Sequence, residues 1–143
     1  MSVYLDTSAL AKWYLHEARS EEVERYLQDA CPVCISALTK VEMASLVGRR
    51  ARDGDIDAVL AARIRAIFDG DIALGHLVLL PLRAEAFLMA ESIPGSFPEI
   101  SLRSLDALHL GLVRSADVKV MATADRVMAQ AAEALGIECR VFF

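Results

Sequence analysis

Prolines, glycines and cysteines are scarce in this sequence, and their scarcity limits the kind of chain it can be. The 4 Pro and 7 Gly among 143 residues form no linker and no low-complexity segment, so we expect one domain over residues 1–143. With 3 Cys, the fold must be held by a buried core rather than by disulfide bonds. A chain of this length can bury such a core.

Long apolar segments are also missing. The longest run without a charged residue, 72–82, is too short to span a bilayer and contains His76 and Pro81. No signal peptide is visible, because Asp6 interrupts the first apolar run and no basic segment precedes it. We therefore expect a cytoplasmic protein that makes no membrane contact.

The motifs that would identify several other functions are absent. No G-x-G occurs, which argues against a dinucleotide-binding fingerprint, and there is no P-loop. A serine hydrolase would need G-x-S-x-G, which the sequence lacks. A haloacid-dehalogenase-like phosphatase needs a second Asp two residues after the first, and here Ser8 follows Asp6 at that spacing.

Basic residues are too few for a broad nucleic-acid-binding face. The sequence has 15 Lys and Arg against 20 Asp and Glu, which gives a formal net charge of -5. This balance argues against a protein that binds nucleic acid through a large positive surface. It does not exclude a nuclease, because carboxylates that hold divalent cations count as negative charges until the cations bind.

Cys31 and Cys34 have the C-x-x-C spacing of zinc and redox sites. A zinc site needs further ligands at matching spacing, and the remaining thiol is Cys139. A thioredoxin-like pair would open a helix, whereas this pair leads into a predicted strand. We therefore interpret the cysteines as small buried thiols in a reducing compartment, with metal or redox chemistry as the alternative.

Short apolar strands alternate with helical segments along the whole sequence, without any hairpin signal. The predicted strands cover residues 3–5, 33–36, 77–80, 119–122 and 137–143. The predicted helices cover 8–15, 20–30, 37–52, 56–68, 83–92, 102–113 and the segment from 125 to 135, with a loop at 93–98. This alternation predicts an α/β fold, a three-layer α/β/α sandwich on a mainly parallel sheet.

Apolar residues are abundant for so short a chain. They make up 55% of the sequence, so we expect a homodimer or another bound partner to cover part of the surface. The helix that we expect Asp55 to cap is amphipathic, with apolar residues at 56, 59, 60, 64, 67 and 68. Its apolar face either packs on the core, which we favour, or forms a groove for a partner.

The first strand ends in a carboxylate. Asp6 follows it directly, and the carboxyl ends of strands are where open α/β sheets place their ligand sites. The alternative is that Asp6 or Ser8 only caps the next helix, which is a common position for both residue types.

Three more acids occupy positions that this fold can bring to the same edge. Glu42 and Asp106 lie within otherwise apolar helices, and Asp125 follows the fourth strand. Acids in apolar surroundings are unfavourable unless they are paired, and basic partners do not stand beside each of them. Clustered carboxylates without thiolates favour Mg²⁺ or Mn²⁺, and these ions usually serve phosphate chemistry.

The motifs around these acids resemble the ordered acidic motifs of the PIN-domain ribonucleases. They read Leu5-Asp6-Thr7-Ser8-Ala9-Leu10, Ser36-Ala37-Leu38-Thr39-Lys40-Val41-Glu42, Leu105-Asp106-Ala107-Leu108-His109 and Thr123-Ala124-Asp125. The resemblance covers nearly the full chain, and the small size is similar to that of the VapC-type toxins of bacterial toxin–antitoxin pairs. One departure is the Val127-Met128 pair, where we expect a basic or bulkier segment.

The resemblance implies a Mg²⁺- or Mn²⁺-dependent endoribonuclease whose metal ligands and catalytic residues are Asp6, Glu42, Asp106 and Asp125. It also implies supporting hydroxyl contacts from Thr7 and Thr123. In such a site one ion would lower the pKa of the attacking water and another would stabilise the leaving 3′-oxygen. The products would carry 5′-phosphate and 3′-hydroxyl ends.

The same resemblance implies an RNA substrate and a small antitoxin partner that binds near the site, using the predicted helix at 56–68 and its neighbours as a groove. Two other functions stay open at this point. One is a catalytically inactive PIN-like module that binds RNA or protein, and the other is a metal-dependent phosphatase of similar fold.

Four side chains near the acids have two interpretations each. His109 lies three residues after Asp106 on one helix face, and we interpret it as a supporting or packing residue rather than a ligand or proton shuttle. Trp13 and Tyr14 are expected to pack against the sheet rather than to stack on a base. Arg103 either contacts a phosphate or belongs to a solvated helix face.

Overall fold

Short apolar strands and helices alternate in the computed structural model, which describes residues 2–143. Within that range there are five strands and seven helices. In chain order they are β1 (Val3–Leu5), α1 (Thr7–Tyr14), α2 (Ser20–Ala30), β2 (Val33–Ser36), α3 (Ala37–Arg52), α4 (Ala58–Ala73), β3 (Leu77–Leu80), α5 (Ala84–Ser96), α6 (Ser104–Ser115), β4 (Val120–Thr123), α7 (Arg126–Ala134) and β5 (Glu138–Val141).

The five strands form one parallel sheet in the order β3-β2-β1-β4-β5. At its centre, Tyr4 of β1 lies opposite Cys34 of β2 on one side and Met121 of β4 on the other. All residues of β1 are buried, as expected for a strand that helices cover on both faces. The predicted parallel sheet is confirmed.

Alternate residues of the central strands face two separate cores, and this alternation creates the three layers. Val3 and Leu5 pack with buried residues of α1, α2, α3 and α4 on one face of the sheet. Tyr4, between them, faces the opposite way and packs with residues of α5, α6 and α7. The predicted α/β/α sandwich is therefore confirmed, with α1–α4 in one layer and α5–α7 in the other.

The strand order reverses beside β1. The chain adds β2 and then β3 on one side of β1, and later adds β4 and β5 on the other. Crossovers therefore leave β1 and β4 toward opposite faces of the sheet, which opens a crevice at their carboxyl ends. Asp6 follows β1 and Asp125 follows β4, so both acids lie at this crevice.

The start of α4 differs from the prediction. Asp57, not Asp55, caps the helix, and its side chain accepts a hydrogen bond from the backbone of Leu60 at 2.7 Å. The helix cannot begin earlier because the N–H groups of Asp55 and Ile56 donate to the carbonyl of Arg50 and wrap around the end of α3. Only part of the predicted apolar stripe is buried. Ala61, Ile64 and Phe68 face the core, whereas Val59, Leu60 and Ile67 are exposed.

The predicted loop at 93–98 is wrong over residues 93–96, because α5 continues through Pro94 to Ser96. Ile93 is buried in the core, and this burial holds the last turn in place. Pro94 lies in that turn, where the missing N–H removes a single helical hydrogen bond.

Within residues 2–143 no helix has both the length and the apolar character that crossing a membrane requires.

Helix α6 begins at Ser104, two residues later than predicted. The backbone N–H of Arg103 donates to the Asp106 carboxylate at 3.3 Å, which forms half of a capping box. Asp106 therefore lies in the first turn of α6 rather than inside it. An acid is favourable there because the helix dipole is positive at that end.

Candidate active site

A cavity of about 550 Å³ opens at the carboxyl end of β1 and β4, and the four predicted acids all line it. Asp6 comes from the end of β1, Glu42 from α3, Asp106 from α6 and Asp125 from the turn after β4. The structure thus brings together carboxylates that are separated by as many as 119 positions in the sequence, because parallel strands end at the same edge of the sheet.

Asp6 is buried at the bottom of this cavity, with 3% of its surface exposed. One carboxylate oxygen accepts hydrogen bonds from the Ser8 hydroxyl at 2.7 Å and the Ala9 backbone at 3.1 Å. The other accepts from the Thr123 hydroxyl at 2.7 Å. Asp6 therefore caps α1, the alternative that the sequence left open, and also lines the cavity.

Burial raises the pKa of Asp6, because a charged carboxylate loses its hydration there. The three hydrogen bonds and the nearby His109 oppose this rise without cancelling it. Among residues 2–143, no Lys or Arg lies within ion-pair distance of Asp6. The carboxylate is thus buried without a cationic side chain to balance it.

Glu42 reaches the cavity from the second turn of α3. Its Oε1 atom accepts hydrogen bonds from the Thr7 hydroxyl at 3.1 Å and from Nε2 of His109. Partial burial by itself raises the pKa of Glu42, but these two hydrogen bonds, with the charges of His109 and Arg103, outweigh burial and hold the pKa below its usual value. Glu42 is therefore fixed as an ionised group.

Asp106 and Asp125 are engaged by neighbouring groups. Asp106 is 3.5 Å from Nε of Arg103, whose side chain is 82% exposed. Asp125 caps α7, accepting hydrogen bonds from the backbone of Val127 at 2.8 Å and Met128 at 3.0 Å. The Val127-Met128 pair thus meets Asp125 through its backbone, so the apolar side chains there do not prevent Asp125 from reaching the cavity.

The acids line the cavity but do not form a closed metal cage. Within residues 2–143, no three acidic, histidine or cysteine side chains are already close enough to hold a metal ion. Two of the acids are held by other groups, Asp106 by Arg103 and Asp125 by the backbone at the start of α7. The donor chemistry nevertheless fits a hard divalent cation, because the acids offer oxygen ligands and Asp6 is a buried carboxylate without a cationic partner.

The hydroxyls of Thr7 and Thr123, the two predicted supporting residues, each contact an acid of the cavity. Thr7 donates to Glu42, and Thr123 donates to Asp6 while it accepts from the backbone of Asp125 at 3.0 Å. Thr123 therefore connects two of the acids. Ser8, which the sequence analysis considered only as a cap, accepts from the backbone of Ala124 at 2.8 Å and joins α1 to the end of β4.

Sequence reasoning missed Tyr4. This side chain is fully buried, and its hydroxyl lies 3.0 Å from the Ser36 hydroxyl and 2.6 Å from Nδ1 of His109. The available signal was a tyrosine within an aliphatic central strand, because a buried tyrosine hydroxyl needs a hydrogen-bond partner. His109 is 1% exposed and contacts Glu42 as well, so it supports the site and does more than pack.

Two basic residues at the cavity were also missed. Arg49 lies seven positions after Glu42 and so on the same face of α3, a spacing that could have identified it. Lys12 lies four positions after Ser8 on α1, and its ammonium group donates to the carbonyl of Ala18 at 2.8 Å. Together with Arg103, they place positive charge around a cavity whose floor is acidic.

The remaining interpretations concern residues outside the cavity. Tyr14 packs edge-on against Phe68 with ring centroids 5.5 Å apart, and Trp13 packs against the same core, as predicted.

The three cysteines are free thiols. Burial raises the pKa of Cys31 and Cys34, which keeps both in the unreactive protonated form.

Comparison with known proteins assigns a family to this fold and site. The PIN domain family model matches residues 3–134. Ribonuclease VapC46 from Mycobacterium tuberculosis is 31% identical over 138 residues, which cover 95% of this chain and 94% of the relative. The chain therefore belongs to the PIN-domain family, as its motifs predict. Within that family it is a VapC-type member.

Two solved structures have a similar fold. VapC20 from Mycobacterium tuberculosis, described as a toxin that cleaves the sarcin-ricin loop, has a TM-score of 0.71 and 19% identity, with 90% of this chain and 94% of that chain covered. VapBC2 from Rickettsia felis, bound to a DNA fragment from its promoter, has a TM-score of 0.72 and 10% identity, with both chains fully covered. At these identities the likeness supports the fold alone.

Proposed function

We propose that this protein is a divalent-metal-dependent endoribonuclease and the toxin of a toxin–antitoxin pair. The observation that carries the proposal is the convergence of four acids from four elements on one cavity at the strand-order reversal. The name of the relative VapC46, a ribonuclease, supports the same activity. Since the proposed substrate is RNA, the proposal puts the protein in the cytoplasm.

The proposed metal ligands are Asp6, Glu42, Asp106 and Asp125, and the proposed cofactor is Mg²⁺ or Mn²⁺. Divalent cations, when bound, lower the pKa of a water nucleophile and stabilise the leaving oxygen of a phosphodiester. The hydroxyls of Thr7 and Thr123 keep the carboxylates of Glu42 and Asp6 in place through the hydrogen bonds described above.

The basic residues at the cavity are proposed to bind the phosphates of the RNA. Arg49 and Arg103 line it, and the exposed guanidinium of Arg103 is free to reach a phosphate once its 3.5 Å contact with Asp106 is released. A bidentate guanidinium matches phosphate geometry, so both arginines are proposed contacts for the RNA backbone on either side of the scissile bond. The sequence-independent part of RNA binding then depends on salt concentration.

The proposed partner is an antitoxin that covers an apolar groove of about 200 Å³ between α3 and α4. Met43, Val47, Ile64 and Phe68 form its apolar lining, and charged side chains stand at its rim. The groove suits an amphipathic peptide segment that buries apolar side chains against it. The structure of the VapBC2 complex, which shares this fold, supports a protein partner for the chain.

The enzymatic proposal is tested by incubating structured RNAs with the protein in Mg²⁺, Mn²⁺ or EDTA. We expect cleavage with either ion and none in EDTA. The Asp6→Asn and Asp106→Asn variants keep the side-chain shape but remove a charge. Losing a group that only hydrogen bonds to a metal ligand already lowers activity by ~10–100-fold, so the rates of these variants should fall by at least ~100-fold. Asp29→Asn, on the exposed face of α2, is the matched control.

Cleavage that persists in EDTA, or an Asp6→Asn variant with the wild-type rate, would contradict the assignment. Binding of RNA with no cleavage under any metal would instead favour the catalytically inactive module. Release of inorganic phosphate from a monoester, without any cut in RNA, would favour the phosphatase.

The partner proposal has its own test. Coexpression with the product of the neighbouring gene should give a stable complex and relieve growth inhibition. Ala44→Glu puts a charge into the groove and should weaken the complex, whereas Ala66→Glu puts the same charge on an exposed position of α4 outside the groove. If no complex forms with the wild type, the toxin proposal fails and the nuclease proposal survives.

A further inference from the structure

Glu42 is held by a chain of buried side chains that begins at the centre of the sheet. The Tyr4 hydroxyl on β1 contacts the Ser36 hydroxyl at 3.0 Å and Nδ1 of His109 at 2.6 Å. On the other side of the imidazole ring, Nε2 of His109 is hydrogen bonded to Oε1 of Glu42. The chain therefore connects β1, α6 and α3, one element from each layer of the sandwich.

The direction of the last hydrogen bond follows from the chemistry of Glu42. An ionised carboxylate has no hydrogen to give, so Nε2 of His109 carries the hydrogen and donates it. The opposite ring nitrogen is held by Tyr4 regardless of which of these two atoms donates. The ring is thus fixed at both ends, and Tyr4 and His109 are themselves buried, with exposures of 0% and 1%.

Both hydrogen bonds to Glu42 go to the same oxygen. His109 and Thr7 donate to Oε1, and Oε2 receives no hydrogen bond from the described residues. The carboxylate lines the cavity, so the second oxygen is available to a ligand that binds there. A long glutamate side chain on a helix surface would otherwise sample several rotamers and lose that freedom when it binds a ligand.

We infer that His109 is a positioning residue, which Tyr4 holds in place, and that it fixes the Glu42 carboxylate so that Oε2 is presented to a cation in the cavity. The inference rests on the proposed function, because it concerns the same four-acid site. Ligand residues in metal sites are commonly oriented in this way by hydrogen bonds from behind. A packing role alone would not require a tyrosine hydroxyl at the centre of the sheet, where burying a polar group is unfavourable unless it is hydrogen bonded.

The inference is tested with Tyr4→Phe, His109→Leu and His109→Gln in the full chain. The readouts are Mn²⁺ affinity by calorimetry without RNA, and kcat and KM for RNA cleavage. Tyr4→Phe and His109→Leu should each weaken Mn²⁺ binding and lower kcat by ~10–100-fold, with KM for RNA unchanged. Glutamine can place an amide N–H near the position of Nε2, so His109→Gln should recover part of both losses. His16→Gln, at an exposed histidine outside the cavity, should behave as wild type.

A double-mutant cycle separates positioning from general destabilisation. If His109 acts through Glu42, His109→Leu and Tyr4→Phe should have little further effect on Mn²⁺ affinity in a Glu42→Gln background. Effects that remain fully additive in that background would overturn the inference. If His109→Leu does not fold, the cycle with Tyr4→Phe, which keeps the ring, decides alone.

The same experiment distinguishes this inference from the proposed function. A wild type that binds Mn²⁺ and cuts RNA, combined with an additive cycle, overturns the role of His109 and leaves the nuclease assignment intact. A wild type that neither binds Mn²⁺ nor cuts RNA overturns both.

Discussion

At the scale of single residues, the two carboxylate oxygens of Asp6 accept hydrogen bonds that stabilise the fold, and the same side chain lines the cavity. Its hydrogen bonds join the start of α1 to the end of β4, through Ala9 and Ser8 on one side and Thr123 on the other. These bonds hold the carboxyl group where burial disfavours its ionised form. The metal-free protein is therefore destabilised at a residue that the proposed reaction needs.

The effect of pH on this destabilisation can be predicted from the direction of the pKa shift. Burial raises the pKa of Asp6 above its ordinary value of 3.8, so the folded state binds the proton more tightly than the unfolded state does. The resulting stability is present below that ordinary value and is lost as pH rises through the higher pKa of the folded state. In EDTA at neutral pH, Asp6→Asn should therefore unfold at a higher temperature than the wild type.

Thermal unfolding of both proteins across the acid-to-neutral range measures this difference. The gap between the two melting temperatures should shrink as pH falls toward 3.8, because the protonated wild-type carboxyl is then uncharged, as the asparagine amide is at every pH. Adding Mg²⁺ should stabilise the wild type more than the variant, by mass action. A gap that stays the same at every pH would show that the charge of Asp6 is not its cause.

Single residues also mark the limit of what the sequence could predict at the site. The acids could be found because a carboxylate after an apolar strand, or in an apolar helix, is visible in a short window. The contact between Tyr4 and His109 joins residues 105 positions apart, and neither residue type indicates the other. Only the packing of α6 against β1 brings them together, so no local pattern could have predicted the pair.

At the scale of secondary-structure elements, α5 and α6 are packed unusually closely. A Cβ atom at Gly111 would lie 2.3 Å from the carbonyl oxygen of Ala86 and 2.8 Å from the backbone nitrogen of Ala90. The two alanines are four positions apart and face α6 with minimal side chains. Backbone therefore meets backbone here, and α5 fixes the helix that carries Asp106 and His109.

Replacing Gly111 by Ala should separate these two helices. The added methyl group must displace backbone atoms rather than a flexible side chain, so we expect a loss of ~1–3 kcal/mol of unfolding free energy despite the better helix propensity of alanine. Urea denaturation measures the loss. Gly70→Ala, on α4 with open space around its Cβ position, should instead gain ~0.5–1 kcal/mol. Equal effects at the two glycines would contradict the close approach.

Element boundaries were predicted where local chemistry decides them and missed where tertiary contacts do. The predicted start of α3 at residue 37 is confirmed, and a capping box between Ser36 and Thr39 is present there. The end of α5 was missed because Pro94 is a helix breaker in isolation, and the burial of Ile93 that overrides it depends on distant residues of the sheet, α6 and α7. The order of the strands had no local signal, because all five are short apolar runs of similar length.

At the scale of the whole molecule, large apolar side chains are exposed on the edge strand β3 and on α5. Val78 and Leu79 on the edge strand β3 are 42% and 40% exposed, and Phe87 and Leu88 on α5 are 50% and 68% exposed. Exposed apolar surface of this kind is typical of protein contacts. We therefore predict that these side chains contribute to the interface of the homodimer expected from the composition.

Light scattering tests the homodimer. The wild type should have the mass of two chains at micromolar concentration, and Leu88→Glu should shift it to one chain, because a buried charge at an interface is unfavourable. Val59→Glu introduces the same charge at an exposed position on α4 and should leave the dimer intact. A monomeric wild type would contradict the prediction. If Val59→Glu dissociates the dimer and Leu88→Glu does not, the interface is formed by α4 instead.

The central position of β1 determines when a newly made chain can become active. Since β1 precedes β4 in the chain, it must wait for β4, which begins at Val120, to complete its hydrogen bonds, and Asp6 must wait for Thr123. Asp106 and Asp125 are also made late, so a nascent chain contains neither the full set of acids nor the sheet that gathers them. A truncated product that ends before β4 cannot form the cavity. For an enzyme proposed to cut RNA, activity therefore has to wait until β4 and the turn after it have been made.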